Sequence, residues 1–241
     1  MKSKWRRSTF VAAGISAHAL AVPARAATVI VAGTTDIFLA SQPSGNGVSG
    51  FFGSDTAPAN SPVQLGVVAG ATVSFSASGS ASVDASCFAG PDGGCYDDES
   101  GFSPAPASNT YKGPATALIG VFLDNSVIDV ASGIASLDYT DPSNRNLASY
   151  APSLGQIFFI GDGLTDASLV QGYLAPTGAT RLFLAVADSF GSSTGNVGAF
   201  SVGFTGATAA VPEPATWSTM LGGFILAGGV LRRRRAKACV A

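Results

Sequence analysis

Two stretches of this chain alternate with period two. Val73, Phe75 and Ala77 are interleaved with Ser74, Ser76 and Ser78, and Phe200, Val202 and Phe204 with Ser201, Gly203 and Thr205. Successive side chains of a β-strand point to opposite faces, so the pattern describes strands with one apolar and one hydroxyl-rich face. Residues 116–124 (TALIGVFLD) and 179–187 (ATRLFLAVA) are longer apolar runs of strand composition, as are 156–160 and 168–174. Clusters of Gly, Pro, Asn and Asp interrupt them at 42–62, 90–109, 140–153 and 161–166. No part of 27–210 sustains a 3.6-residue period. Roughly eight short strands predict an all-β fold, an antiparallel β-sandwich of jelly-roll type.

Charge divides the chain into three. Five of the 13 basic residues lie in the first 25 positions and five in the last ten, whereas 27–211 holds 14 acidic residues and three basic ones, Lys112, Arg145 and Arg181. The basic start (Lys2, Lys4, Arg6, Arg7) is followed by an apolar run from Thr9 to Val22 and by Ala24-Arg25-Ala26. That order is the layout of a Sec signal peptide over 1–26, with cleavage before Ala27. The exported domain is expected over 27–206, with 207–211 as a linker.

At the other end Pro212-Glu213-Pro214 precedes an apolar run over 215–231 and then Arg232, Arg233, Arg234 and Arg235. Seventeen residues make a helix about 25 Å long, which just spans a bilayer. Trp217 stands at one rim, and the arginines, by the positive-inside rule, keep the tail 232–241 cytoplasmic. These three parts together resemble the PEP-CTERM sorting signal. The resemblance implies recognition by a membrane-embedded exosortase, cleavage near Pro212-Glu213-Pro214, and a Gram-negative host. The protein would be held transiently by the C-terminal helix before reaching the cell surface or the extracellular space.

Composition removes several function classes from the exported part. The chain's one histidine, His18, lies in the expected signal peptide, which leaves the exported part no Ser-His-Asp or Cys-His scheme and no His-ligated zinc. Gly191-Ser192-Ser193-Thr194-Gly195 matches G-x-S-x-G by letter, without a histidine or a following helix. Three bases cannot neutralise a phosphate backbone, so a nucleic-acid partner is not expected. The protein reads as non-catalytic. Cys87 and Cys95, both in the exported region, predict a local disulfide that pins a Gly/Pro-rich loop. The acidic run Asp97-Asp98-Glu99 reads as a solvated loop.

Between the last two expected strands lies Asp188-Ser189-Phe190-Gly191-Ser192-Ser193-Thr194-Gly195-Asn196-Val197-Gly198. A carboxylate, an amide eight residues on and a flexible Ser/Gly loop can gather hard oxygen ligands around Ca²⁺. The same loop could equally be a hairpin whose Asp and Asn bond only their own backbone. This hairpin (Asp188, then Phe200-Ser201-Val202) resembles the PA-IL-like galactose-binding lectins, with weaker likeness over Gly70 to Gly79 and Gly113 to Leu123. The resemblance implies a small galactose-binding-like sandwich that holds sugar through a bridging calcium. Asp188 and Asn196 would then be side-chain ligands, Ser192 a carbonyl ligand, and the neighbourhood of Val83 a further carbonyl. Asn196 falls on the second of the family's two ligand asparagines, and Gly195 replaces the first. The expectation is therefore an exported, exosortase-sorted lectin-like module with Ca²⁺ and carbohydrate or exopolysaccharide as partners. The alternative is a structural protein of the exopolysaccharide or biofilm matrix with no small-ligand site.

Overall fold

The computed structural model describes residues 27–50, 53–94, 96, 111–129 and 134–206. The signal peptide, Cys95, Asp97 to Glu99, Pro212-Glu213-Pro214, the span 215–231 and Arg232 to Arg235 lie outside the described residues. Among the described residues no helix is long and apolar enough to cross a membrane.

Thirteen strands are formed among these residues. The first five are β1 (Ala27–Ala32), β2 (Gly47–Ser49), β3 (Ser54–Thr56), β4 (Val63–Gly66) and β5 (Thr72–Ser82). Then come β6 (Tyr111–Lys112), β7 (Leu118–Leu123), β8 (Leu137–Asp138) and β9 (Ser149–Tyr150). The last four are β10 (Ile157–Phe159), β11 (Gly172–Leu174), β12 (Arg181–Val186) and β13 (Val197–Thr205). One sheet has the order β1-β13-β5-β11-β9 and a second the order β10-β7-β12-β4, with two-stranded ribbons β2-β3 and β6-β8 beside them. The fold is all-β, built of several antiparallel sheets and consistent with a β-sandwich.

The alternating segments become the long strands. β5 and β13 pair without a break from Ser82 opposite Val197 to Ser74 opposite Thr205. Val73, Phe75, Phe200, Val202 and Phe204 are buried, while Ser76 and Ser78 face solvent. The continuous apolar runs become β7, buried at all six positions, and β12, buried at five of six. Both lie at the centre of the second sheet, where a strand covered on both faces has no polar side to show. Its partners include a 3-10 turn at Ile37–Leu39, all buried, which packs on β7 and β12. Side chains of both larger sheets join one core, as where Phe158 of β10 meets Tyr173 of β11 at 5.4 Å between ring centroids.

Two departures from the expected pattern have physical causes. The run 168–174 forms a strand only from Gly172 onward, because Leu169 and Val170 sit in a turn closed by the Leu164–Val170 bridge, 60% and 63% exposed. Two pairs are parallel, β9 with β11 and β6 with β8, where only antiparallel neighbours were expected. The first is held by Gln171, fully buried, whose Nε2 donates to the carbonyls of Arg145 (2.8 Å) and Leu147 (3.0 Å).

Candidate functional site

The loop between β12 and β13 is where the sequence-derived residues meet. Its final turn, Ser193–Gly195, is a 3-10 turn with Ser192 before it and Asn196 after it. Asp188 and Ser192 line one cavity of about 650 Å³, together with Gly195, Val83, Asp84 and Tyr96. Two predicted ligands and the neighbourhood of Val83 thus share one space.

Asn196 is placed differently. It is 4% exposed, and its Nδ2 donates to the Gly33 carbonyl at 3.1 Å. Its Oδ1 is buried without a hydrogen-bond partner. A buried acceptor left unpaired typically costs about 1–3 kcal/mol. Asp188 is half-buried and accepts from the Ser189 N–H at 2.6 Å. Burial pushes its carboxyl up to about 6; the Asn196 amide and the Ser189 N–H favour the ionised form, and the nearby Asp55 opposes it.

Two more carboxyl groups support the loop from below, and the sequence had not marked either. Asp36 is 2% exposed; its Oδ1 accepts from the Phe38 N–H (2.8 Å), capping the 3-10 turn Ile37–Leu39, and its Oδ2 accepts from the Gly191 N–H (3.2 Å). Asp55, on β3, is fully buried and accepts from the N–H groups of Ser193 (2.7 Å) and Thr194 (2.8 Å) and from the Thr194 hydroxyl (2.5 Å). Burial above all, opposed by the Phe38 N–H, and then the charge of Asp55 and a hydrogen bond with it, push the Asp36 carboxyl up to about 7. No basic side chain is among the groups that set Asp36 or Asp188. Asp36 carries the one local signal, an Asp directly before the apolar triplet Ile-Phe-Leu, the signature of an N-cap. Asp55 carries none, because its partners are 138 and 139 residues away.

Glycines bring the β2-β3 ribbon against the loop. A Cβ at Gly50 would lie 1.5 Å from the Phe190 carbonyl oxygen, and Gly191, at φ +65°, would put one 2.6 Å from the Gly50 nitrogen. Only backbone without side chains fits there. Cys87 is disulfide-bonded, while its expected partner Cys95 lies outside the described residues.

Of the expected ligands, Asp188 and Ser192 line the cavity and Asn196 is not among the described residues that do; a carboxylate and carbonyl or amide oxygens are the types that a hard divalent cation selects. Among the described residues no three carboxylate, thiolate or imidazole groups converge on a common point. Any cation here would draw most of its coordination from neutral oxygens. No protein-family model matches the chain, and a search of curated proteins finds no match.

Proposed function

We propose that residues 27–206 form an exported, non-catalytic, calcium-assisted carbohydrate-binding module, on a sandwich of the jelly-roll, galactose-binding-like kind. Its delivery would follow the PEP-CTERM route, with Sec export, a transient membrane anchor at 215–231 and processing by an exosortase. Asp188 and Asn196 would supply side-chain oxygens to Ca²⁺, Ser192 and the region of Val83 carbonyl oxygens, and vicinal hydroxyls of the sugar the rest of the shell. When bound, the cation would supply a fixed positive charge that orients those hydroxyls.

The observation that carries this reading is that Asp188, Ser192 and Val83, three of the expected ligand positions, line one cavity, with the Asn196 amide hydrogen-bonded to Asp188. A cation there would hold Asp188 ionised. The experiment is thermal unfolding of residues 27–206 with and without millimolar Ca²⁺, followed by a glycan array with and without chelator. Ca²⁺ is expected to raise Tm, Asp188→Ala to abolish the shift, and chelator to abolish glycan binding. An unchanged Tm together with a blank array would instead favour the matrix protein without a small-ligand site.

A further inference from the structure

Besides residues of the Asp188–Asn196 loop, Val83, Asp84 and Tyr96 line the cavity. Nothing in the sequence had marked Tyr96, and its ring is the one aromatic group among them. Its hydroxyl donates to Asp84 Oδ2. Asp84 is itself fixed, because its Oδ1 accepts from the Ser86 N–H (2.9 Å), the Ser86 hydroxyl (2.7 Å) and the Ser82 hydroxyl (3.4 Å). Ser82 is the last residue of β5 and is fully buried, so the chain of contacts runs from the core to the phenol. The next residue after Ser86 is the disulfide-bonded Cys87. Tyr96, its hydroxyl held by Asp84, lines the cavity and is 38% exposed.

An anchored aromatic face has a definite chemical use beside polyol-binding groups. Its π-cloud is electron-rich and attracts the weakly positive hydrogens of C–H groups. A cyclic sugar held by two adjacent hydroxyls still has a face of C–H groups to pack, whereas an open-chain polyol with the same hydroxyls has no such face in fixed geometry. Fixing the ring in advance also lowers the entropic cost of binding.

We propose that Tyr96 is the apolar platform of the site, and that the ligand is therefore a pyranoside packed by its C–H face rather than a polyol in general. This rests on the lectin reading above and adds the wall that selects among hydroxylated ligands. Asp84 is a positioning residue, acting on the ligand only through the tyrosine.

The test uses the full chain in a zwitterionic, sugar-free detergent, with calorimetric titration of methyl hexopyranosides (gluco, galacto and manno) and of glucitol and galactitol, all with Ca²⁺ present. At least one pyranoside is expected to bind, and the open-chain hexitols about tenfold or more weakly. Tyr96→Ala should weaken the pyranoside about tenfold while leaving the Ca²⁺-induced rise in Tm in place; that rise also reports that the variant folds. Tyr96→Phe should keep most of the affinity, since the ring remains. Equal binding of pyranosides and hexitols, or a Tyr96→Ala variant that binds pyranoside as the wild type does, would overturn the platform and leave the calcium site standing. Loss of the Ca²⁺ response in Tyr96→Ala would make the residue a support for the loop and also overturn it. Absence of any Ca²⁺-dependent binding in the wild type removes the lectin reading and this inference with it.

Discussion

The carboxylate of Asp55 receives the N–H groups of both Ser193 and Thr194, at 2.7 and 2.8 Å, from a strand that lies 138 residues earlier in the chain. The turn that shapes the candidate site is thus capped by a remote side chain, in the way a helix N-terminus is capped by its own preceding residue.

Asp55→Ala should therefore destabilise the domain and loosen the site together. It strips acceptors from two N–H groups, one of them in the buried Ser193, at a cost of about 2–4 kcal/mol. Urea unfolding should show a lower midpoint. Hydrogen exchange at Ser193 and Thr194 should quicken more than exchange in β7. Unchanged protection at those two amides would mean that the turn holds without Asp55.

The buried Asp36 makes stability depend on pH. Its folded-state value is raised to about 7, above the ordinary carboxylate value of 3.8. The folded state therefore binds more protons than the unfolded state between these limits. The stabilisation is full below the lower value and is lost as pH rises through the upper one. Asp188, raised to about 6, acts in the same direction. Without added Ca²⁺, the domain should lose up to about 2–3 kcal/mol between pH 5 and pH 7 from Asp36 alone. Asp36→Asn, which keeps a donor for Asp55, should flatten that slope. A melting temperature that climbs from pH 5 to pH 8 would contradict the assignment.

Gly195 offers a gain-of-function test. A Cβ there would meet nothing within 4 Å, and the backbone is not in the left-handed region. Gly195→Asn should fold normally and add one side-chain oxygen at the cavity. Under the calcium reading its Ca²⁺ affinity should rise about tenfold by calorimetry. An unaltered affinity would mean that position 195 does not face the cation.

Gln171→Leu tests the parallel pair at the sheet edge. Gln171 Nε2 donates to two carbonyls and to the Tyr150 hydroxyl (3.2 Å), while its Oε1 accepts from the Tyr173 hydroxyl (3.2 Å). Leucine of similar size would take the side-chain donor from the Arg145 and Leu147 carbonyls, while the Tyr173 hydroxyl keeps the Ile160 carbonyl (3.1 Å) and the Tyr150 hydroxyl the Asn144 carbonyl (3.0 Å), at a cost of about 1–3 kcal/mol. Differential scanning calorimetry should show a lower Tm, and near-ultraviolet circular dichroism a weaker tyrosine signal from the stacked pair Tyr150 and Tyr173, whose centroids are 5.1 Å apart.

What could be read in the sequence follows from where each constraint resides. β5, β7, β12 and β13 were legible because alternation and unbroken apolar runs report directly on which faces are covered. The boundary of β11 was not, since Leu169 and Val170 look like strand residues and only the folded chain leaves them outside. The parallel partner of β11 depends on Gln171 reaching carbonyls 24 and 26 residues away, which leaves no local mark. The candidate loop was legible as a set of oxygen donors, with Asp188 and Ser192 at one cavity. Asp36 showed only its N-cap signal before Ile37-Phe38-Leu39, while its contact with Gly191, and those of Asp55 with Ser193 and Thr194, join residues far apart in the chain and left no local mark. Tyr96 was hidden because its role comes from Asp84, twelve residues before it.

The pairing of Ala27 with Phe204 and of Ser82 with Val197 gives the molecule two poles. The described domain begins and ends side by side at one of them, and the cavity opens at the other, about 30 Å away along β13. Whatever is joined to either end of the described residues therefore attaches at the pole away from the residues that line the cavity.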